Sequence, residues 1–492
     1  MRKLIVITLA TVVVLILVAT AALYWFFSGD GMRFALEQQA TTWLGQTVRV
    51  GGARAQLFPR VGIRLSDVTV GEPVRLTLSD VQLATDVRAL LGRRIEDASL
   101  AISDSRIEMP LPFAIPESSS SGQAGGASES AVKIVSIREI SLRDIRIVSR
   151  GREVLVSADS TLEGNRLTLR QFTAESGATS LQVEGEVDLE PRIDARLRAK
   201  ANKIDLDELL ALADAFTPEP SAVTRTSASP AARIAARVSA ETATAGGVDV
   251  RQFATDMQVD GDRVALSPLT FQLFGGRYQG SLNARLGERL AVTLQSRLQD
   301  VDVAQLAAFG GSPDTITGTL TGAGSFSAQG ADIGAILSSA SGKGTASIVD
   351  GTIRRLNLVR TVVLFFGRPA PDSAPASDRF SRIDTTFSLA RQVFRAESFA
   401  LRSPDADIVG TGTLTLGTEA LDGTLDLSLS EELSAQAGTD LARYTREGNR
   451  VVLPARLGGT LAEPRITINA AAAVKRGLRN EVERRLKGIL GR

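Results

Sequence analysis

The sequence predicts a mainly-β protein: a single N-terminal transmembrane helix followed by an elongated, curved antiparallel sheet forming an apolar groove, with a few short amphipathic helices. Three observations point there. Leu4 to Phe27 contains no charged residue, apolar residues downstream alternate with a period of two, and a six-residue phrase with Asp in third place recurs along the chain.

The uncharged segment comes first. As a helix rising ~1.5 Å per residue it reaches roughly 36 Å, enough to cross a hydrocarbon core of about 30 Å with some tilt. Leu4 and Leu15 lie in its apolar body, and Tyr24, Trp25 and Phe27 form an aromatic belt at its end. Arg2 and Lys3 precede it and Asp30 follows, which keeps the N-terminus cytoplasmic and exports the remainder. Ala19-Thr20-Ala21 offers the alternative of a cleaved signal peptide, although the apolar run continues past that site.

Composition narrows the chemistry. The 492 residues include neither cysteine nor histidine, so an exported chain is held by backbone pairing and apolar burial, and histidine-dependent acid/base catalysis and most zinc sites are excluded. The 56 basic residues nearly balance 55 acidic ones, leaving no electrostatic footprint for nucleic acid. No cofactor is expected.

Met32 to Leu44 reads as an amphipathic helix through Phe34, Leu36, Ala40, Trp43 and Leu44, either packed on the first strands or lying at the membrane surface. The period then changes to two: Val61, Ile63, Leu65, and then Val74, Leu76, Leu78. The Asp phrase occurs at Leu65–Val70, Leu78–Leu83, Leu142–Ile147 and Leu298–Val303, with a weaker copy at Ile95–Leu100. Its first apolar residue and the one after Asp are three apart, so one extra residue at a β-bulge is needed to return both to one face. That makes Asp67, Asp80, Asp144 and Asp300 local backbone devices rather than a catalytic set.

A longer unit repeats about ninety-five residues apart, from Phe172 through Ile204–Leu209 and from Phe271 through Val301–Leu306, with a looser third copy from Phe399 to Leu416. Three Ser-, Ala- and Pro-rich segments interrupt it and read as mobile loops. The predicted organisation is an anchor over 1–29, a helix and first strands over 30–115, a loop over 116–131, and a β repeat over 132–216. A second loop follows over 217–232, then a β repeat with an apolar helix over 233–366, a loop over 367–378, a β segment over 379–469, and a basic amphipathic helix over 470–492. Within these, Leu356–Phe366 is expected as a core helix or plug against the sheet, ahead of a membrane or partner contact. The stripe of Val474, Leu478, Val482, Leu486, Ile489 and Leu490 is expected as a cap on the last strand or a contact with anionic lipid.

No constellation for chemistry emerges: catalytic and metal residues are both read as none. Gly342-Lys343-Gly344-Thr345 lacks the spacing of a phosphate loop and reads as a turn before a strand, Gly410-Thr411-Gly412 lacks a third glycine and reads as lying between strands, and Asp205, Asp207 and Glu208 read as polar-face or helix-start residues. What stands out is a sheet with an apolar face and few helices to cover it. Either it closes on itself, or it curls into an open trough lined by residues such as Val61, Ile63, Leu65, Val74, Leu76, Leu78, Val81, Leu142 and Ile145. A trough would shelter lipid tails, each buried CH₂ contributing about 0.8 kcal/mol.

The N-terminal anchor, the Leu-x-Asp phrase, Gly275 to Gly280, and the run Gly342 to Ile353 followed by Ser403-Pro404 and the Gly410 to Leu416 strand together resemble the AsmA family. The resemblance implies a Gram-negative envelope protein anchored in the inner membrane by one pass, with its bulk in the periplasm, related to bridge-like lipid-transfer proteins. It further implies phospholipid as ligand, outer-membrane or envelope proteins as partners, a part in outer-membrane biogenesis, and no enzymatic activity. A non-conducting scaffold for outer-membrane protein assembly is the second reading. A carboxylate-pair hydrolase and an outer-membrane barrel rank below both. Twenty-five strands at ~4.8 Å would extend on the order of 120 Å, short for crossing the whole envelope alone.

Overall fold

A computed structural model describes residues 29–56, 60–85, 94–95, 97–111, 133–134, 136–216, 232–287, 289–354, 362, 379–435, 445–469, 471–477, 479 and 482. The chain divides into two compact units, Met1–Gly247 and Val248–Arg492, a division that falls inside the predicted 233–366 segment. The anchor residues Leu4, Leu15, Tyr24, Trp25 and Phe27 lie outside the described residues, as do most of the three predicted loops. Among the described residues no helix is long and apolar enough to cross a membrane.

The first unit opens with α1 (Gly29–Leu44), then β1 (Val48–Gln56), β2 (Val61–Val70), β3 (Leu76–Thr85), β4 (Arg94–Ile95), β5 (Ala98–Ser103) and β6 (Arg106–Glu108). It continues with β7 (Lys133–Ile134), β8 (Ser136–Ser149), β9 (Arg152–Glu163), β10 (Arg166–Ser176), β11 (Thr179–Asp188), β12 (Asp194–Asp205), α2 (Leu206–Phe216) and β13 (Arg233–Ala245). Neighbouring strands run antiparallel except where β8 pairs parallel with β5 and β6, β12 with β13, and β4 with β7. The sheet is therefore mixed, not purely antiparallel as expected. Between β12 and β13 lies the long connection that parallel pairing requires, and it begins with α2.

α1 lies on β1, and Leu36, Ala40 and Leu44 close a core made of Val48, Val50, Ala53, Val68 and Val70. This is the predicted packing role. Phe34, on the same predicted stripe, is instead 68% exposed. At α2, Asp205 accepts the backbone N–H of Glu208 at 3.0 Å, the helix-start role read for it from sequence.

The Asp phrase does what its spacing requires. Asp67, Asp97, Asp144 and Asp300 sit at φ between 53° and 55°, in the left-handed region. At Asp144 the β8–β9 register slips by one, so that Leu142 and Ile145 pair with Ala158 and Val156, two apart on one face of β9. At Asp300 the slip places Leu298 and Val301 against Gly322 and Leu320. Asp67 produces no slip, because β1 and β3 depart from alternation at the same level: Val50 and Ala53 face Val68 and Leu65, which face Leu78 and Val81. Asp80 departs from the pattern. It keeps negative φ and accepts Arg64 Nε and Nη2 at 2.8 and 3.0 Å. Burial pushes its pKa up, but the hydrogen bonds from Arg64 and Gln82 outweigh this and hold it below the usual value.

The second unit comprises β14 (Val248–Asp260), β15 (Arg263–Leu273), β16 (Gly276–Arg285), β17 (Leu290–Asp302), α3 (Val303–Phe309), β18 (Thr319–Gly330), α4 (Ile333–Ser339) and β19 (Ser341–Thr352). β20 (Arg379–Ala390), β21 (Val393–Arg402), β22 (Ala406–Thr415), β23 (Ala420–Leu429), α5 (Glu431–Ala435), β24 (Arg446–Glu447), β25 (Arg450–Gly459) and β26 (Pro464–Ile468) complete it. The described pairings here are antiparallel. Gly342 to Thr345 and Gly410 to Gly412 are strand interior in β19 and β22, not the turn and inter-strand stretch expected. Glycine occurs there because its neighbours need the room: a Cβ on Gly344 would stand 2.7 Å from the Phe387 ring.

The ninety-five-residue repeat has a structural counterpart. Bulges at Leu169/Phe172, Leu266/Leu269 and Ala396/Phe399 mark β10, β15 and β21, and each bulged strand is followed by two more strands and a helix, α2, α3 and α5. Of the predicted apolar helix over 356–366 only Val362 is described, and it is buried in the core of the second unit. At the C-terminal end, residues 471–477 are helical and Ala473 is buried, while Val474 and Val482 of the predicted stripe are more than half exposed. The helix is held by charge instead. Arg476 donates to Asp426 at 2.7 Å and Glu447 at 2.8 Å.

Capping at α3 gives a first prediction. Asp302 accepts Ala304 N–H at 2.8 Å and Gln305 Nε2–H at 2.9 Å, and these bonds, the Gln305 amide foremost, lower its pKa against a smaller opposing effect of burial. Asp302→Ala removes about 1 kcal/mol of local stability, read as faster hydrogen exchange at Ala304 and Gln305. A depressed folded-state pKa means the contribution is complete above the ordinary Asp value of about 3.9 and is lost as pH falls through the lower folded value. The difference between variant and parent should therefore persist at neutral pH and shrink below about pH 4. Equal exchange at neutral pH would show that the cap is idle.

Candidate functional site

Strand pairing sorts the side chains of each unit onto two faces. In the first unit an unbroken row runs Ala53, Leu65, Val81, Ile102, Leu142, Ala158, Phe172, Val183, Ala199 and Val238 across ten strands from β1 to β13. In the second, a row runs Met257, Leu266, Leu282, Leu294, Phe326, Gly342, Leu389, Phe394, Leu414 and Leu421 from β14 to β23. Every residue of the second row is half-buried. The large side chains of the first are also half-buried, and only its three alanines are buried. These faces are apolar without being sealed.

The opposite face is polar and ion-paired across strands: Arg64 with Asp80, Arg166 with Asp188, Arg198 with Glu184, and Arg382 beside Asp384. Such exposed pairs contribute little stability each. Two broad concavities on this face of the second unit are lined mainly by Ser, Thr, Gly, Ala, Arg and Gln residues. Among the described residues no group of carboxylates is placed to hold a metal ion.

The nine residues read from sequence as groove lining fall as follows. Ile63 pairs with Leu83, Leu65 with Val81, and Leu142 with Ala158, all on the apolar face and half-buried except Leu83 and Ala158. Val61 stands at the edge of β2 opposite Thr85. Leu76 and Leu78 pair with Val70 and Val68 and pack, with Leu65, against the core beneath α1. Ile145 is buried at 4% exposure. Val74 belongs to no strand; it lies in the turn before β3 and is 51% exposed, because the strand begins only at Leu76.

Reading from sequence missed the enclosed part of the site, which lies in the second unit. A cavity of ≈ 270 Å³ is lined by Phe394, Ala396, Phe399, Leu401 and Ile408 from β21 and β22, by Leu421, Leu425 and Leu457, and by Leu461, Pro464 and Ile466. Ile316 and Ile353 also line it; they form an antiparallel bridge, flanked by hydrogen bonds Thr317 N–H to Thr352 O and Arg354 N–H to Thr315 O. In a flat sheet β19 and β26 would stand roughly 29 Å apart, six spacings of ~4.8 Å. One cavity is lined both by the chain just beyond β19 and by β26, so these segments approach each other on the apolar side of the unit. The signal available in sequence was glycine at alternate positions, Gly322/Gly324, Gly342/Gly344 and Gly410/Gly412: rings lie close to Gly324, Gly342 and Gly344, and the neighbouring strand lies close to Gly322, Gly410 and Gly412.

Each unit is thus a β-sheet with one half-open apolar face, the second with an apolar cavity against it, and among the described residues no group of carboxylates is placed to hold a metal ion. No family model matches the chain, and no solved structure matches it. Over 350 residues, 65% of the chain, it is 21% identical to Protein AsmA of Escherichia coli strain K12, and it spans about half, 55%, of that protein's length. This similarity supports membership of the AsmA family.

Proposed function

We propose that the protein is a lipid-transfer protein of the AsmA type, holding or conducting phospholipid acyl chains along its apolar sheet faces, anchored in the inner membrane with its bulk in the periplasm. The observation that carries this reading is the pair of ten-strand apolar rows whose large side chains remain half-exposed. Burying such a face against hydrocarbon recovers roughly 25 cal/mol per Å², and acyl tails can slide along it because nothing in the rows is a directional partner. The headgroup stays at the wet edge. No reaction is assigned; the face supplies neither nucleophile nor acid.

The test uses the alternation of the strand. A photoreactive residue in place of Leu294 should capture phospholipid in intact cells, whereas one at Gln295, exposed on the other face, should not. Capture of protein alone at Leu294 would favour the scaffold reading, and equal lipid capture at both positions would sink the groove.

A further inference from the structure

The cavity beside the Ile316–Ile353 bridge differs from the open rows in drawing its lining from strands that are not neighbours: the bridge, which extends the β18–β19 ladder, and residues of β21 to β26, among them Phe394, Leu414 and Leu421 of the second row. Its lining is almost wholly aliphatic and aromatic, and apolar cavities of this size stay free of ordered water yet accept apolar guests. Taking a methylene as about the ~30 Å³ that a water occupies in the liquid, ≈ 270 Å³ holds roughly nine of them. That is one chain's end, not two chains.

One lining residue is charged. Arg354 borders the cavity, yet its side chain is 65% exposed, so it stands where the cavity meets solvent. Its ion pair with Asp314 is long, 3.9 Å, and exposed on both sides, which leaves the guanidinium able to take a second anion. Apolar depth ending at a cation matches an acyl chain with an anionic head.

We infer that this cavity seats the methyl end of a single acyl chain whose carboxylate or phosphate head lies at Arg354, making it a fixed terminus for the lipid path rather than another stretch of it. The inference rests on the lipid-transfer reading and adds a place where a chain stops. Chain length then matters: a chain of about ten carbons fits with its head at Arg354, and a longer one must leave its head beyond that residue.

The experiment uses the full chain in phosphatidylcholine nanodiscs and two probes with a diazirine at the methyl end of the chain, decanoic acid and a phosphatidylglycerol. Adducts are mapped by mass spectrometry. Adducts are expected on Leu421, Leu457 and Ile466, from the free acid if that is the natural guest and from the phospholipid if the tail enters while still esterified. Ala396→Leu, which fills empty space without disturbing a backbone contact, should lower capture about tenfold with unchanged melting; Leu457→Phe should do the same. Arg354→Glu should weaken capture of decanoic acid but not of the matching alcohol. Adducts confined to Leu294, Phe326 and Leu389 would overturn the seat and leave lipid transfer standing, as would cavity adducts indifferent to Ala396→Leu. Failure of both probes to label any apolar-face residue would overturn the transfer reading as well.

Discussion

Phe387→Glu is expected to abolish the proposed acyl-chain capture by the second unit, and Thr386→Glu, one residue away, to leave it intact. Phe387 occupies the middle of the apolar face, its ring 4.6 Å from Phe394 and 6.4 Å from Phe326. It lies over Gly344, where any Cβ would strike it. A carboxylate there must either be desolvated by every passing tail, at several kcal/mol, or carry water into the path. Either outcome reduces capture or vesicle-to-vesicle transfer by roughly a hundredfold or more. Because Phe387 is only half-buried, the charge can reach solvent when no lipid is bound, so the sheet remains folded. Thr386 points to the opposite, exposed face, and a one-residue step along a strand exchanges the two faces. Equal loss in both variants would mean that capture responds to charge on the sheet in general, and the apolar face would have no special part in it.

The corresponding test in the first unit separates lining from core. Leu142→Glu falls on the half-buried row and should impair capture with the fold retained. Leu78→Glu buries a charge under α1 beside Val68, and should destabilise β1 to β3 before capture can be measured.

That contrast shows what could be read from the chain alone. Alternation is local, so the strands and their apolar sides were legible, and so was the need for an extra residue between Leu142 and Ile145, because three-residue spacing cannot otherwise keep one face. What covers a face is not local. Leu78 and Leu142 sit in the same Leu-x-Asp phrase, yet one meets α1 and the other does not, a difference set by the fold of the preceding helix rather than by either phrase. Val74 looked like a strand residue because Leu76 and Leu78 follow at even spacing; Glu72-Pro73 interrupts the backbone and the ladder starts after it. The parallel pairings were hidden for the same reason, since β5 finds β8 across a long stretch of polar sequence. The cavity was least legible of all: Ile316 and Ile353 meet across α4 and two strands, and both line one cavity with Leu461 and Ile466, which no periodicity connects.

Arg450→Met should open the closed edge of the second unit. Arg450 stands at the start of β25 and donates Nε–H to Leu429 O at 2.6 Å, Nη2–H to Ser428 O at 2.7 Å and Nη1–H to Asp407 at 2.6 Å. One planar fork thus ties β25 to the end of β23 and across it to β22, beside the most deeply buried residues of the unit, Leu427, Leu429, Val451 and Leu453. Methionine preserves most of the aliphatic stem but removes three charge-assisted bonds, leaving Leu429 O with only the Ser434 hydroxyl at 3.4 Å. Each deserted group costs about 1–3 kcal/mol where water cannot reach it, and partial exposure of Arg450 and Asp407 lowers the sum to roughly 2–4 kcal/mol. Lysine restores charge without the fork and should recover less than half of the loss. Since the chain has two compact units, a single unfolding free energy is not the right measure; hydrogen exchange at Val452, Leu453 and Ile408 is. Exchange there should accelerate by one to three orders of magnitude while amides of β15 and β16 keep their rates. Acceleration spread evenly over the unit would mean that Arg450 supports the whole sheet, and an unchanged rate at Leu453 would mean that apolar packing alone holds the edge shut.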